Sequence, residues 1–313
     1  MSQAAQPADA SASPAPAGRS LWADARRRLM RDKAAMACFV VIVFYALLAI
    51  FSPMVLSGWS ESYDYQALNL APSFQHPLGT DAFGRSVLQK TVLATRVSMT
   101  VGFMSNIIAV PLGMILGAIA GYFGRWVDDL IVWLYTTLAS IPGIIRLIAI
   151  KFAFFDRVLF EGTWFEVDMG GMAGIYIALG VMSWIGTCRL VRAEVMKLRE
   201  LDYVLAARAM GKRSFPILLR HILPNVFHIG IINFSLGFVG AITAEVILSY
   251  LNLGVGEGTP SWGTMINAAR MDLVVGRWWE LAAAVVAMFV IVLAFNIFGD
   301  RLRDALDPRL REA

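Results

Sequence analysis

The chain has 313 residues, 58% of them hydrophobic and only 16% charged, with a net charge of +4 and a mean hydropathy of +0.63. Soluble domains are roughly 45–50% apolar and about a quarter charged. A single water-soluble core is therefore excluded, and a bilayer is the solvent that fits. The basic excess lies beside apolar runs, where it reports topology rather than nucleic-acid binding.

Residues 1–20 are mostly Ala, Pro, Ser and Gln and are predicted to form a disordered tail. The run Ala34–Leu56 is too long for the core of a signal peptide and is read as a first span. Five further runs have spanning length: Val97–Tyr122, Leu130–Ile150, Met172–Leu190, Val226–Leu251 and Leu281–Phe298. Backbone polar groups in lipid must be satisfied within the segment, so all six are predicted to be helices. The fold class is all-α integral membrane with six transmembrane helices. With the N-terminus inside, 19 of the 27 Lys and Arg fall on the cytoplasmic side, which predicts N-in and C-in. The expected organisation is a tail over 1–20, a first span and periplasmic segment over 21–96, a transmembrane core over 97–300 and a cytoplasmic tail over 301–313. Gly113, Gly117 and Gly121 share one face of span two, where they favour close packing, and Pro111 is placed to kink it.

The polar break between spans four and five, residues 193–225, is the most informative segment. Ala193–Met210 is rich in helix formers. Gly211 stands where a helix end takes a left-handed residue. Ser214 and Pro216 suit the start of a second short helix, which Pro224 is expected to end. That helix suits a groove in another protein or the membrane surface, and the residues alone leave both open. Gly211-Lys212-Arg213-Ser214 ends like a phosphate loop, but position 206 is Ala where that loop needs Gly, so no nucleotide site is read here.

Leu205-Ala206-Ala207, Gly211 and His221-Ile222-Leu223-Pro224 resemble, in spacing, the Glu-Ala-Ala loop of ATP-binding-cassette importer permeases. Leu205 stands where that family has Glu, and His221 where it has Ile. His76–Arg85, Ala120–Gly124, Arg189–Glu194, Pro260–Gly263 and Asn296–Pro308 resemble the C-type permeases of its dipeptide/oligopeptide/nickel branch. The resemblance implies a cytoplasmic coupling helix that docks partner ATPases through Ala206, Ala207, Gly211, Phe215, Leu218, His221, Leu223 and Pro224. It also implies a second, B-type permease, two ATPase subunits, a periplasmic or extracellular solute-binding protein, lipid around the spans and a bacterial inner-membrane location. The chain itself would be a transport subunit, not an enzyme, and needs no cofactor.

Glu245 inside span five is a candidate for the translocation path, or a hydrogen-bonded structural carboxyl. Arg146 and Lys151 at the outer part of span three are candidates for attracting an anionic solute, or for snorkelling to the interface. Asp156, Glu161, Glu166 and Asp168 form an acidic outer loop with no ligand spacing. Trp262 and Trp278-Trp279 suit the membrane interface. His76, His221 and His228 form no metal set, and Cys38 and Cys188 suggest no disulfide. An intramembrane enzyme would need a catalytic set at one depth, and a self-sufficient carrier often shows internal repeats; neither signal is found.

Overall fold

The computed structural model describes residues 21–306 except 57, 60–61, 154–156, 160, 164–166 and 257. The tail 1–20, the last residues of the C-terminal tail, Asp156 and Glu166 lie outside the described residues. Two helices, α1 (Leu21–Arg31) and α2 (Lys33–Val55), meet at Asp32, whose carboxylate accepts from the amides of Ala34 and Ala35 and caps α2. Then come α3 (Val87–Phe123), α4 (Arg125–Ala139), α5 (Gly143–Ala153), a two-residue antiparallel pair β1 (Val158–Leu159) and β2 (Val167–Asp168), and α6 (Met172–Leu198). A short α7 (Asp202–Ala209) precedes α8 (Ser214–Ile217), a π-turn over Leu218–Ile222 and α9 (Leu223–Tyr250). Finally α10 (Trp262–Val274) leads to α11 (Trp279–Leu306).

Among the described residues, five helical stretches are long and apolar enough to cross a membrane, or six if α4 and α5 form one broken span. The third apolar run is therefore not the straight helix expected from its composition. It bends by 93° between α4 and α5. Pro142 sits at the break, has no amide hydrogen, and cannot continue the ladder.

The other spans sit where the apolar runs put them, and all but α2 are longer. The second begins at Val87, ten residues before the hydropathy signal, so the expected boundary at 96/97 falls inside a helix. It passes through Pro111 without a break. Its glycines lie against α6. A Cβ at Gly113 would meet the Trp184 carbonyl at 2.6 Å, at Gly117 the Cys188 carbonyl at 2.5 Å, and at Gly121 the Arg192 carbonyl at 2.7 Å. In lipid, where no hydrophobic force drives helices together, such close approach supplies the packing. On the other flank, α2, α9, α10 and α11 enclose Tyr45, Phe238, Trp262, Met265 and Ile291. Trp262 is fully buried there, edge-on to Tyr45, so it is a core residue and not an interface anchor. Trp278 is exposed as expected, whereas Trp279 is half-buried and donates its indole N–H to the Thr80 carbonyl.

Candidate functional site

The bundle has two ends. One carries the start of α1, the end of α11, the α3–α4 corner and residues 199–213; the other carries the described residues of 56–86, 157–171 and 251–261.

At the terminal end, α6 runs on to Leu198, and the expected helix over Ala193–Met210 breaks at Arg199–Leu201 before α7. Gly211 closes α7 as its sequence position predicts. Its φ is +75°, its amide bonds the Arg208 carbonyl, and the Lys212 amide bonds the Ala207 carbonyl, which is the Schellman pattern. Ser214 is the first helical residue, not the cap. Arg213 holds the cap position and makes no side-chain cap bond. Pro224 does not end the second helix either. Helix α8 passes through the π-turn, where the Leu223 amide reaches back five residues to the Leu218 carbonyl, and continues as α9 with Pro224 in its first turn. Having no amide hydrogen, Pro224 leaves one bond out of the ladder where the π-turn meets α9.

The expected docking residues divide between two faces. Ala207, Ile217, Leu218 and Ile222 are buried against Tyr122, Val191 and Val195 at the ends of α3 and α6. Arg208 lies over the Tyr122 ring at 5.0 Å, and Asn225 donates to the Tyr203 hydroxyl at 3.2 Å. These contacts fix α7 and α8 as a ledge. Outward stand Ala206, Gly211, Pro224 and Phe215, the last 58% exposed, with Leu205 (43%), Met210 and Leu219 beside them. His221 and Leu223 are half-buried. Below the ledge, Arg192 of α6 grips Asp128 of α4 with two bonds at 2.5 and 2.6 Å, and Arg199 donates to the Gly121 carbonyl.

At the far end lies a cavity of about 600 Å³ that Lys151, Arg85, Lys90, Asp168, Asn252 and Asn267 help to line. Lys151 is buried and donates to the carbonyls of Met169 and Gly170. Lys90 bridges Asp81 and Glu280 at 3.2 and 2.6 Å. Arg85 also pairs with Asp81, and its guanidinium lies 4.2 Å from the Trp59 ring centroid. Gly84, at φ +78°, allows this turn, because a Cβ there would lie 1.9 Å from the Asp64 carbonyl. The spacing of residues 76–85 carried the resemblance but not the role of Arg85 and Lys90, because Lys90 also pairs with Glu280, 190 residues away.

Arg146 is not among the residues lining this cavity; it donates to the Leu138 carbonyl across the α4–α5 break. Glu245 does not line it either, being 0% exposed beneath it. A second cavity of about 570 Å³, between α3, α9 and α11, is lined almost wholly by apolar side chains, with Asn106 and Ser235 the exceptions.

Comparison with known proteins places this arrangement. Residues 113–312 match the family described as binding-protein-dependent transport system inner membrane component, and residues 20–77 match the N-terminal transmembrane domain of oligopeptide transport permease C. The chain is 34% identical over 294 residues to the glutathione transport system permease protein GsiD of Pectobacterium atrosepticum, covering 94% of this chain and 93% of that one. It is 34% identical to the dipeptide transport system permease protein DppC of Bacillus subtilis, covering 92% and 86%. It is also 34% identical to the oligopeptide transport system permease protein OppC of Haemophilus influenzae, covering 94% and 90%. A solved structure of the MetNI methionine ABC transporter in inward-facing conformations aligns with a TM-score of 0.48 at 18% identity, covering 70% of this chain and 94% of that one.

Proposed function

Since the chain belongs to the inner-membrane components of binding-protein-dependent transport systems, we propose that it is the C-type permease of an ATP-driven importer of short peptides. Six spans cross a bacterial inner membrane with both termini in the cytoplasm. A B-type permease completes the pathway, two ATPases dock at the terminal end, and a solute-binding protein delivers peptide to the far end. Relatives named for glutathione, dipeptide and oligopeptide transport support the solute class. All three are peptides with a carboxylate, and Lys151 in the outer cavity is placed to attract one. Arg146 and Glu245 act on the path indirectly, through the backbone they hold.

The observation that carries the reading is the ledge. Its inner face is packed into the bundle, so a push on its outer face moves α6 and α9 together. Alternating access follows: closure of the ATPases shifts the ledge, and the spans change which side the cavity faces. The exposed apolar residues Leu205, Met210, Phe215 and Leu219 suit a groove in the partner. Leu205, where the family carries Glu, makes this contact apolar rather than charged.

Phe215→Asp in the complete transporter tests it. Since Phe215 is 58% exposed, the variant folds and reaches the membrane at normal level. It loses ATPase co-purification and at least tenfold of its uptake, because a carboxylate is desolvated in the groove. Full uptake by this variant, or by the chain with no ATPase present, overturns the reading.

A further inference from the structure

We propose that Glu245 is a positioning residue whose carboxyl ties one wall of the outer cavity to the spans, and so sets how tightly the transporter takes up solute there. The inference rests on the importer reading above and assigns a device within it.

Glu245 lies in the outer half of α9 and is completely buried. Three serines share its carboxyl, and Ser261, the cap residue of α10, is one of them. Ser249, one turn on, donates to Oε1 at 2.7 Å, and Ser98 of α3 donates to Oε2 at 3.4 Å. The same Ser98 hydroxyl accepts from the backbone amide of Trp262, the first residue of α10, at 3.5 Å. The carboxyl thus stands at a junction of α3, α9 and the N-terminus of α10. A carboxyl buried among apolar spans is costly unless its oxygens are bonded. Here the bonds run to elements that must stay in register.

What that junction holds is the cavity wall. The chain leaving α9 turns at Asn252, with φ +59°, and folds back so that the Leu253 amide bonds the Leu248 carbonyl at 2.8 Å. Gly254 then comes so near Ser249 that a Cβ would sit 1.9 Å from the serine hydroxyl, and a Cβ at Gly263 would sit 2.6 Å from Ser249 Cβ. Ser249 is therefore clamped between the wall and the carboxyl. It lines the cavity on one side and bonds Glu245 on the other. Val255 in the same wall is buried against Val97, Val101, Ile175 and Leu179, which closes the wall onto α3 and α6. Asn267 of α10 bonds Asn252 at 2.7 Å, joining the wall to the helix that the junction anchors. Loss of the carboxyl frees Ser98, Ser249 and Ser261 together and loosens α10 and the wall as one piece.

The test uses the complete transporter with Cys38 and Cys188 replaced by Ala and a reporter cysteine at Val255→Cys. A water-soluble maleimide reads wall opening without ATP, and uptake of a dipeptide gives KM and maximal rate. Glu245→Gln preserves the shape and the acceptor for Ser249, and should keep labelling and KM within about twofold of the parent. Glu245→Leu should label at least tenfold faster and raise KM several-fold more than it lowers the maximal rate. Ser98→Ala/Ser249→Ala should move both readouts the same way by a smaller factor, and decides the matter should Glu245→Leu fail to accumulate. Glu245→Gln behaving like Glu245→Leu overturns the proposal, since charge and not position is then what counts. So does unchanged labelling and KM in Glu245→Leu or, where that fails to accumulate, in the serine pair. ATP-dependent uptake by the parent complex tests the importer reading separately.

Discussion

The carboxyl of Asp81 accepts from four donors. The amides of Phe83 and Arg85 bond Oδ1 at 2.9 Å each, while Arg85 Nε and Lys90 Nζ bond Oδ2 at 3.0 and 3.2 Å. Burial alone would raise its pKa. The opposing Lys90 charge and the Arg85 and Phe83 bonds outweigh that and hold it below its ordinary value. A group depressed in this way contributes stability above its unfolded pKa, near 3.9, and that contribution is lost as pH falls through the folded pKa. Asp81→Asn should therefore lower the thermal midpoint of the detergent-solubilised protein at pH ~7 by the equivalent of about 1–3 kcal/mol. The gap between the two proteins should close as the pH is taken below ~4. A gap that is constant with pH would show that the bonds matter but the charge does not. No spacing in the sequence pairs Asp81 with Lys90, or Lys90 with Glu280. The residues were quotable as a motif, but their joint work needed the fold to bring α3 and α11 together.

At the scale of an element, the broken third span shows what hydropathy reads and what it misses. Composition located Leu130–Ile150 correctly as apolar helix, because periodicity and transfer cost are local. It missed the 93° bend, which depends on one proline and on who takes up the carbonyls that the proline releases. Irregular backbone at membrane depth persists only where those groups are satisfied. The Ser140 hydroxyl serves the Thr137 carbonyl, and the Arg146 guanidinium serves the Leu138 carbonyl. A cation at a helix C-terminus is also favoured by the macrodipole. We therefore propose that Arg146 supports the bend. Arg146→Leu should lower uptake of an acidic and a neutral dipeptide by the same factor, several-fold, and Arg146→Lys should recover part of it. A defect confined to the acidic dipeptide would return Arg146 to the solute path. The coupling segment teaches the same lesson more mildly. Gly211 was legible because a Schellman ending is coded by one residue. The π-turn that lets α8 run into α9 was not, because Pro224 suits a helix start as well as a helix end.

For the whole molecule, we infer the orientation from charge placement. Among the described residues, 16 of 24 Lys and Arg lie at the end that carries the α3–α4 corner and the ledge, and basic loops resist translocation. Structure adds a physical reason why this end is held together. Arg192–Asp128 joins α6 to α4, Arg199 reaches the α3 corner, and Arg301 lies 3.4 Å from Asp32, so part of that basic excess is also structural. The far end instead presents exposed aromatic side chains at Tyr65 and Phe74, with few cations beyond those in the cavity network. With Cys38 and Cys188 replaced by Ala, a cysteine at Phe74, which is fully exposed, should react with a membrane-impermeant maleimide in intact spheroplasts. A cysteine at Met210, on the exposed ledge, should react only after the membrane is opened. The two positions sit at opposite ends of the same bundle, so they must give opposite answers if the ledge faces the cytoplasm. The reverse pattern would place the ledge outside, where no ATP is supplied, and would remove the coupling mechanism together with the orientation.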